Sequence, residues 1–186
     1  MTAPPLTAEP VCFDGQRLAI EDISALASKT RTARLSSVPA FRDRIRRGSD
    51  FLDRLLAEDG VIYGVTTGYG DSCTVVIPPE LVGELPHHLY TYHGCGAGRF
   101  LTPEETRAVL ASRLCSLSQG MSGVSEGLLV QLALLLENDI LPLIPAEGSV
   151  GASGDLTPLS YVAAVLCGER DVWHHGERRP AARRRR

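Results

Sequence analysis

A chain of 186 residues, 44% hydrophobic and 22% charged, has the size and balance of one globular domain able to bury a core. Its net charge of −3 gives no reason to expect nucleic acid or a membrane surface as a partner. Cys12, Cys73, Cys95, Cys115 and Cys167 are scattered, odd in number and without CxxC spacing, which argues against a disulfide framework and fits a reduced, cytoplasmic protein.

The opening residues, MTAPPLTAEPVCFDG, have neither a basic start nor an apolar run, so no secretory signal is expected. Residues 1–16 read as irregular apart from an extended entry at Val11–Phe13. A short helix is predicted over Ile20–Ala27. A longer one is predicted over Ala40–Ala57, with Phe41, Ile45, Leu52, Leu55 and Leu56 near one face. Gly60 ends it, Val61-Ile62-Tyr63 reads as a short extended segment, and the glycine-rich GVTTGYG follows.

Thr102, Pro103 and Glu105 then give a helix start in the N-cap, N1 and N3 positions of a capping box, with Val109, Leu110, Leu114 and Leu117 at helical spacing behind them. Ser125 opens another helix whose centre, Leu128–Leu136, is apolar nearly all round. Such a helix needs cover on every side, and it is too short to span a bilayer. A last helix is predicted from Pro158 to Leu166, closed by Gly168. With no internal repeat and no strand series, the expected fold is mainly α with little strand. Beyond Gly168 lies ERDVWHHGERRPAARRRR, in which six of the 19 basic residues fall within nine positions. The expectation is an ordered domain over 1–168 and a basic, disordered tail over 169–186, with nucleic-acid contact as the lesser alternative. The abrupt change in character suggests a truncation or a change of reading frame there.

The most informative stretch is GSVGASGDLTPLSY, Gly148–Tyr161. Gly148, Gly151 and Gly154 free the backbone around a short Ala-Ser-Gly core. The arrangement suits a backbone cyclisation in which the Gly154 nitrogen attacks the Ala152 carbonyl and loss of water, with the Ser153 hydroxyl, leaves an exocyclic methylidene. No Gly-Lys-Ser/Thr follows, so it is not a phosphate loop, and Gly-Ala-Ser-Gly is not a nucleophile elbow. A tight structural turn before a helix is the remaining alternative.

Ala152-Ser153-Gly154-Asp155, flanked by Gly148, Gly151 and Pro158-Leu159, resembles the prosthetic-group loop of the histidine ammonia-lyase family of aromatic amino acid ammonia-lyases and aminomutases. The resemblance runs from about Val11 to Gly168, the N-terminal part of that fold. It implies that Ala152, Ser153 and Gly154 form 4-methylidene-imidazol-5-one. Tyr63, in YGVTTGYG, resembles the family's catalytic base, with Gly64, Gly68 and Gly70 as a mobile lid. His93, in TYHGCGAG, matches the position that contacts the substrate ring. Tyr92 beside it stands where histidine lyases usually carry serine, so both histidine and tyrosine remain as substrates, in that order. Asp155 is read as support for the loop.

His87, His88, His93 and Cys95 match no standard zinc spacing, so no metal is expected. Cys115 reads as a packed core thiol and Asn138 as a helix-end cap. The resemblance implies an ammonia-lyase, with a 2,3-aminomutase or a catalytically silent fragment as alternatives. It also implies an amino acid substrate and a homotetramer. The family's Asn-Gly-Thr segment, second tyrosine, carboxylate-binding arginine and central helix bundle have no counterpart here, so the expectation is an incomplete enzyme that is inactive alone.

Overall fold

The computed structural model describes residues 9–58, 60–149, 151 and 153–181. Among the described residues six α-helices dominate: α1 Ile20–Ala27, α2 Pro39–Ala57, α3 Leu85–His93, α4 Pro103–Ser118, α5 Glu126–Glu137 and α6 Leu156–Leu166. Seven short strands frame them: β1 Val11–Phe13, β2 Ala33–Leu35, β3 Ala97–Phe100, β4 Ile140–Pro142, β5 Pro145–Glu147, β6 Asp171–His174 and β7 Glu177–Pro180. The fold is mainly α, as the residue pattern predicts.

Helix α4 is the centre of the molecule. Thr102 accepts a hydrogen bond from the Glu105 amide at 3.2 Å, and Glu105 Oε2 accepts one from the Thr102 amide at 2.7 Å, so the capping box forms as read from the sequence. Leu110, Ala111 and Leu114 on α4 are fully buried and pack with Leu129, Leu132 and Ala133 of α5, with Phe41 and Ile45 of α2, and with Val11 and Phe13 of β1. Asn138 caps α5, its Nδ2 donating to the Leu134 carbonyl at 2.9 Å. Cys115 packs half-buried against this core.

The apolar girdle of α5 is only partly covered. Leu129, Leu132, Ala133, Leu135 and Leu136 are buried, whereas Val130 and Leu134 face outward. The far half of α2 is likewise open, with Phe51 and Leu56 exposed.

Three small sheets join distant pieces of chain. Strands β1 and β2 pair in parallel, β3 and β5 pair antiparallel (Ala97 opposite Glu147), and β4, β6 and β7 form an antiparallel sheet. The last of these corrects the expectation of a disordered tail after Gly168. Residues 171–180 form a hairpin in which His175 and Gly176 make the two-residue turn, both with positive φ (52° and 80°). That geometry matches the right-handed twist of paired strands. Val172 is buried, Trp173 packs on the core opposite Leu141, and Arg178 pairs with Asp171 at 2.8 Å. Arg179 is likewise paired, with Glu177, so both described arginines of the hairpin face a carboxylate. The basic residues 182–186 lie outside the described residues.

Two smaller expectations also change. Val61–Tyr63 does not extend but enters a turn, with the Val65 and Thr66 amides both donating to the Ile62 carbonyl. Helix α3 escapes sequence reading because His87, His88 and Pro86 obscure its periodicity, although Tyr90 is buried at its centre.

Candidate active site

The glycine-rich loop connects β5 to α6. Its residue Ala152 lies outside the described residues, as does Val150. Across the loop, the Ser149 hydroxyl donates to the Gly154 carbonyl at 2.7 Å, pinching the segment that contains Ser153. Gly151 and Gly154 take φ of 79° and 72°, where a side chain would be strained. Gly148 is required for a different reason: a β-carbon there would come within 2.6 Å of the Thr157 methyl and 3.1 Å of the Gly96 Cα. Asp155 stands at the N-cap position of α6, and its carbonyl accepts from the Leu159 amide, while its side chain makes no capping bond.

Two clefts meet at this loop. One, of about 580 Å³, is lined by Ser153, Gly154 and Asp155 on one side and by Ser112, Arg113 and Ser116 of α4 on the other. The second, of about 340 Å³, is mostly apolar and is lined by Tyr90 and His93 of α3, by Leu128 and Leu132 of α5, and by Leu159 and Ala163 of α6. Arg113, Asp155 and Leu159 line both, so the Ser153 cleft and the His93 cleft are neighbours. The arrangement places the Ser153 loop next to a mostly apolar cleft with an imidazole on its wall.

His93 is half-buried at the end of α3, and Tyr92 packs edge-on against it with ring centroids 5.3 Å apart. Tyr92 itself is 80% exposed and lines neither cleft. Tyr63 also lines neither cleft and is exposed. Its phenol oxygen accepts a hydrogen bond from the Gly70 amide at 2.8 Å. Tyr69 lies edge-on at 6.3 Å. Burial pushes the Tyr69 phenol up from its usual range, and the neighbouring Tyr63 phenol adds to the rise, so Tyr69 stays protonated. Gly64, at φ 72°, lets Tyr69 approach: a β-carbon there would lie 2.6 Å from its ring. The structure thus brings Ser153, Gly154 and His93 into one region and leaves Tyr63 and Tyr92 outside it.

His87 is occupied by Tyr90, with Nδ1 and the phenol oxygen 2.7 Å apart. Among the described residues no group of three metal-ligating side chains converges. Sequence reading missed Arg113, the cation shared by both clefts, because a half-buried arginine on a helix looks like any solvated one. It also missed Tyr161 and Arg170. The Tyr161 hydroxyl donates to the Gly94 carbonyl and accepts from the Gly96 amide, both at 3.1 Å. The Arg170 guanidinium stacks 4.1 Å above the Tyr161 ring.

Fold and loop together define an N-terminal portion of the helical scaffold shared by ammonia-lyases and aminomutases. The tyrosine aminomutase of Streptomyces globisporus superposes with a TM-score of 0.83 at 32% identity, over 92% of this chain and 32% of that one. The histidine ammonia-lyase of Trypanosoma cruzi superposes at 0.78 and 28% identity, over 94% of this chain and 33% of that one. The family model for aromatic amino acid lyases matches residues 18–185, and the chain belongs to that family. The match runs into the basic C-terminal segment. Among curated relatives, histidine ammonia-lyase of Bos taurus is 38% identical over 163 residues, 88% of this chain and 24% of its own length. That of Stigmatella aurantiaca is 38% identical over 170 residues, 91% of this chain and 33% of its own. The chain therefore spans about a quarter to a third of the curated relatives it matches.

Proposed function

We propose that this chain carries the electrophile-forming part of an aromatic amino acid ammonia-lyase, with histidine as first substrate (giving urocanate and ammonia) and tyrosine as second. The observation that carries this reading is the pinched Ser153 loop, with Ser149 bonded across it to Gly154, at the junction of two clefts. A ring built from Ala152, Ser153 and Gly154 is supported by the glycine-favoured backbone at Gly151 and Gly154 and by the open cleft at Ser153. The resulting 4-methylidene-imidazol-5-one supplies an electrophile that no ordinary side chain provides.

The chain's own residues then have separable tasks. Asp155 and Leu159 line both clefts, where the substrate's reacting end and its ring meet. His93 offers a ring nitrogen that can donate to or accept from an imidazole or a phenol. The apolar wall of Leu128, Leu132 and Leu159 excludes water from the substrate ring. Tyr63 takes the β-proton, which requires the 60–77 segment to move toward Ser153 or a second copy of the chain to supply it. The ordered domain includes the hairpin at 171–180. Homo-oligomer assembly fits the open faces of α5 and α2, and the scattered thiols fit a cytoplasmic setting.

A second reading, a 2,3-aminomutase that returns the amine to the β-carbon, is favoured by the tyrosine aminomutase superposition. Intact-mass spectrometry of the folded protein tests the shared core of both. A loss of two waters that disappears in Ser153→Ala is the expected result, and an unmodified mass in folded protein overturns it. Chromatography of products from histidine and tyrosine then separates lyase from mutase.

A further inference from the structure

We propose that Tyr161 is the positioning residue for ring closure at Ala152-Ser153-Gly154, tying the entry and exit of the loop together, with Arg170 holding its phenol in place. The proposal rests on the reading that the loop cyclises, and it assigns the pinning of the loop's two ends to named side chains.

The loop enters from β5 and leaves into α6. Strand β5 is paired with β3, Ala97 opposite Glu147. The Tyr161 hydroxyl holds the residues just before β3 to α6: it donates to the Gly94 carbonyl and accepts from the Gly96 amide, 3.1 Å each. Gly96 lies directly on β5, since a β-carbon there would come within 2.8 Å of Pro145 Cβ. The path from the loop through β5, β3, Gly96, Tyr161 and α6 back to the loop is therefore a closed circuit. Gly148 sits inside it, wedged between Gly96 and Thr157, and Thr157 is one helical turn from Tyr161 on the same face of α6.

Arg170 completes the clamp. It stacks on the Tyr161 ring at 4.1 Å and donates through Nη2 to the carbonyls of Gly94 (3.3 Å) and Tyr90 (3.4 Å). Tyr161 is 8% exposed, so water does not readily replace its hydroxyl at the Gly96 amide.

The chemistry shows why pinned ends matter. A bond forms between the Gly154 nitrogen and the Ala152 carbonyl carbon. The carbonyl oxygen leaves as water with the amide hydrogens of Gly154 and Ser153, creating a C=N bond. The Ser153 Cβ–Oγ bond then breaks, and the hydroxyl leaves as a second water with the Ser153 Cα hydrogen, creating the methylidene. No oxidant or reductant is needed. The first bond forms only when nitrogen and carbon are pressed together, and fixing the loop ends removes the conformations that keep them apart.

The test is a time course of intact mass after cell-free synthesis of the full chain, reading the half-time for loss of two waters. Tyr161→Phe deletes the hydroxyl and keeps the ring; its half-time is expected to lengthen at least about fivefold, the scale of one lost buried hydrogen bond. Ile45→Val, a core substitution on α2 away from the loop, is expected to lower the denaturation midpoint and leave the half-time within about twofold. Arg170→Lys keeps the charge but not the planar stack and should lengthen the half-time by an intermediate factor; it carries the test if Tyr161→Phe does not fold. Equal half-times for wild type and Tyr161→Phe, or for wild type and Arg170→Lys, overturn the inference and leave the lyase reading standing. Equal slowing in Ile45→Val overturns it too, by reducing the effect to stability. A wild-type chain that folds and keeps both waters overturns the inference and the lyase reading together.

Discussion

Replacing Asp139 by asparagine should destabilise this fold by about 2 kcal/mol through one carboxylate. Asp139 accepts from Arg107 Nε at 2.8 Å and from Lys29 Nζ at 3.1 Å, joining the turn after α5 to α4 and to the end of α1. The Arg107 and Asp139 side chains are only 12% and 16% exposed, whereas Lys29 is 53% exposed. Breaking a buried pair typically costs ~3–5 kcal/mol, because the remaining charge is stranded. The lower figure applies here because Arg107 Nη1 keeps its bond to the Ala27 carbonyl at 2.6 Å. Asparagine preserves the side-chain shape and tolerates the left-handed φ of 57°, so the substitution isolates the charge. With a urea m-value of roughly 2 kcal/mol/M, the midpoint followed by circular dichroism should fall by about 1 M. Lys29→Met should cost less than ~0.5 kcal/mol, as exposed pairs do. Burial pushes the Asp139 carboxyl up, but the hydrogen bonds from Arg107 and Lys29 prevail and hold it below its usual value. The contribution is therefore present above the usual aspartate range and lost as pH falls through the folded value. An Asp139→Asn variant within ~0.5 kcal/mol of wild type, with an unchanged acid slope, would refute this account.

Three further outcomes are expected. Thr102→Ala should cost about 0.5–1 kcal/mol in the same urea assay, since it deletes one half of the α4 capping box. The Glu105 carboxyl is held down to about 2 by Arg99 and by the Thr102 amide, so acid titration should loosen the start of α4 as pH falls from about 4.5 to about 2; nuclear magnetic resonance of the Glu105 carboxyl reads it directly, and a midpoint near 4.5 contradicts the pairing. In a catalytically complete assembly, Tyr63→Phe should lower turnover by ~10²–10⁴-fold while substrate binding persists, and near-normal turnover would remove Tyr63 from the mechanism.

Local signals in the sequence determine much of this protein. The box Thr102-Pro103-Glu105 writes its own helix start, because the bonding partners lie within three residues. The bounds of α1 follow from short-range periodicity in the same way, as do the Ser125 and Asn138 ends of α5. The Ala-Ser-Gly loop is legible because glycine spacing and residue chemistry carry it without reference to the rest of the fold.

The tertiary structure decides what depends on distant partners. Residues 171–180 read as a charged tail until β4 arrives, with Pro142 opposite Val172 and Leu141 opposite Trp173. Arg113 looks solvated until the Ser153 loop and α6 form clefts beside it, and Tyr161 looks like one more core aromatic until Gly94 and Gly96 arrive at its hydroxyl. Strands β3 and β5 each expose residues with little strand character, and only their mutual pairing, 45 residues or more apart in the chain, makes them strands. The separation of Tyr63 from Ser153 belongs here as well. A motif states which atoms a residue brings, but its position comes from packing that the neighbouring residues do not encode.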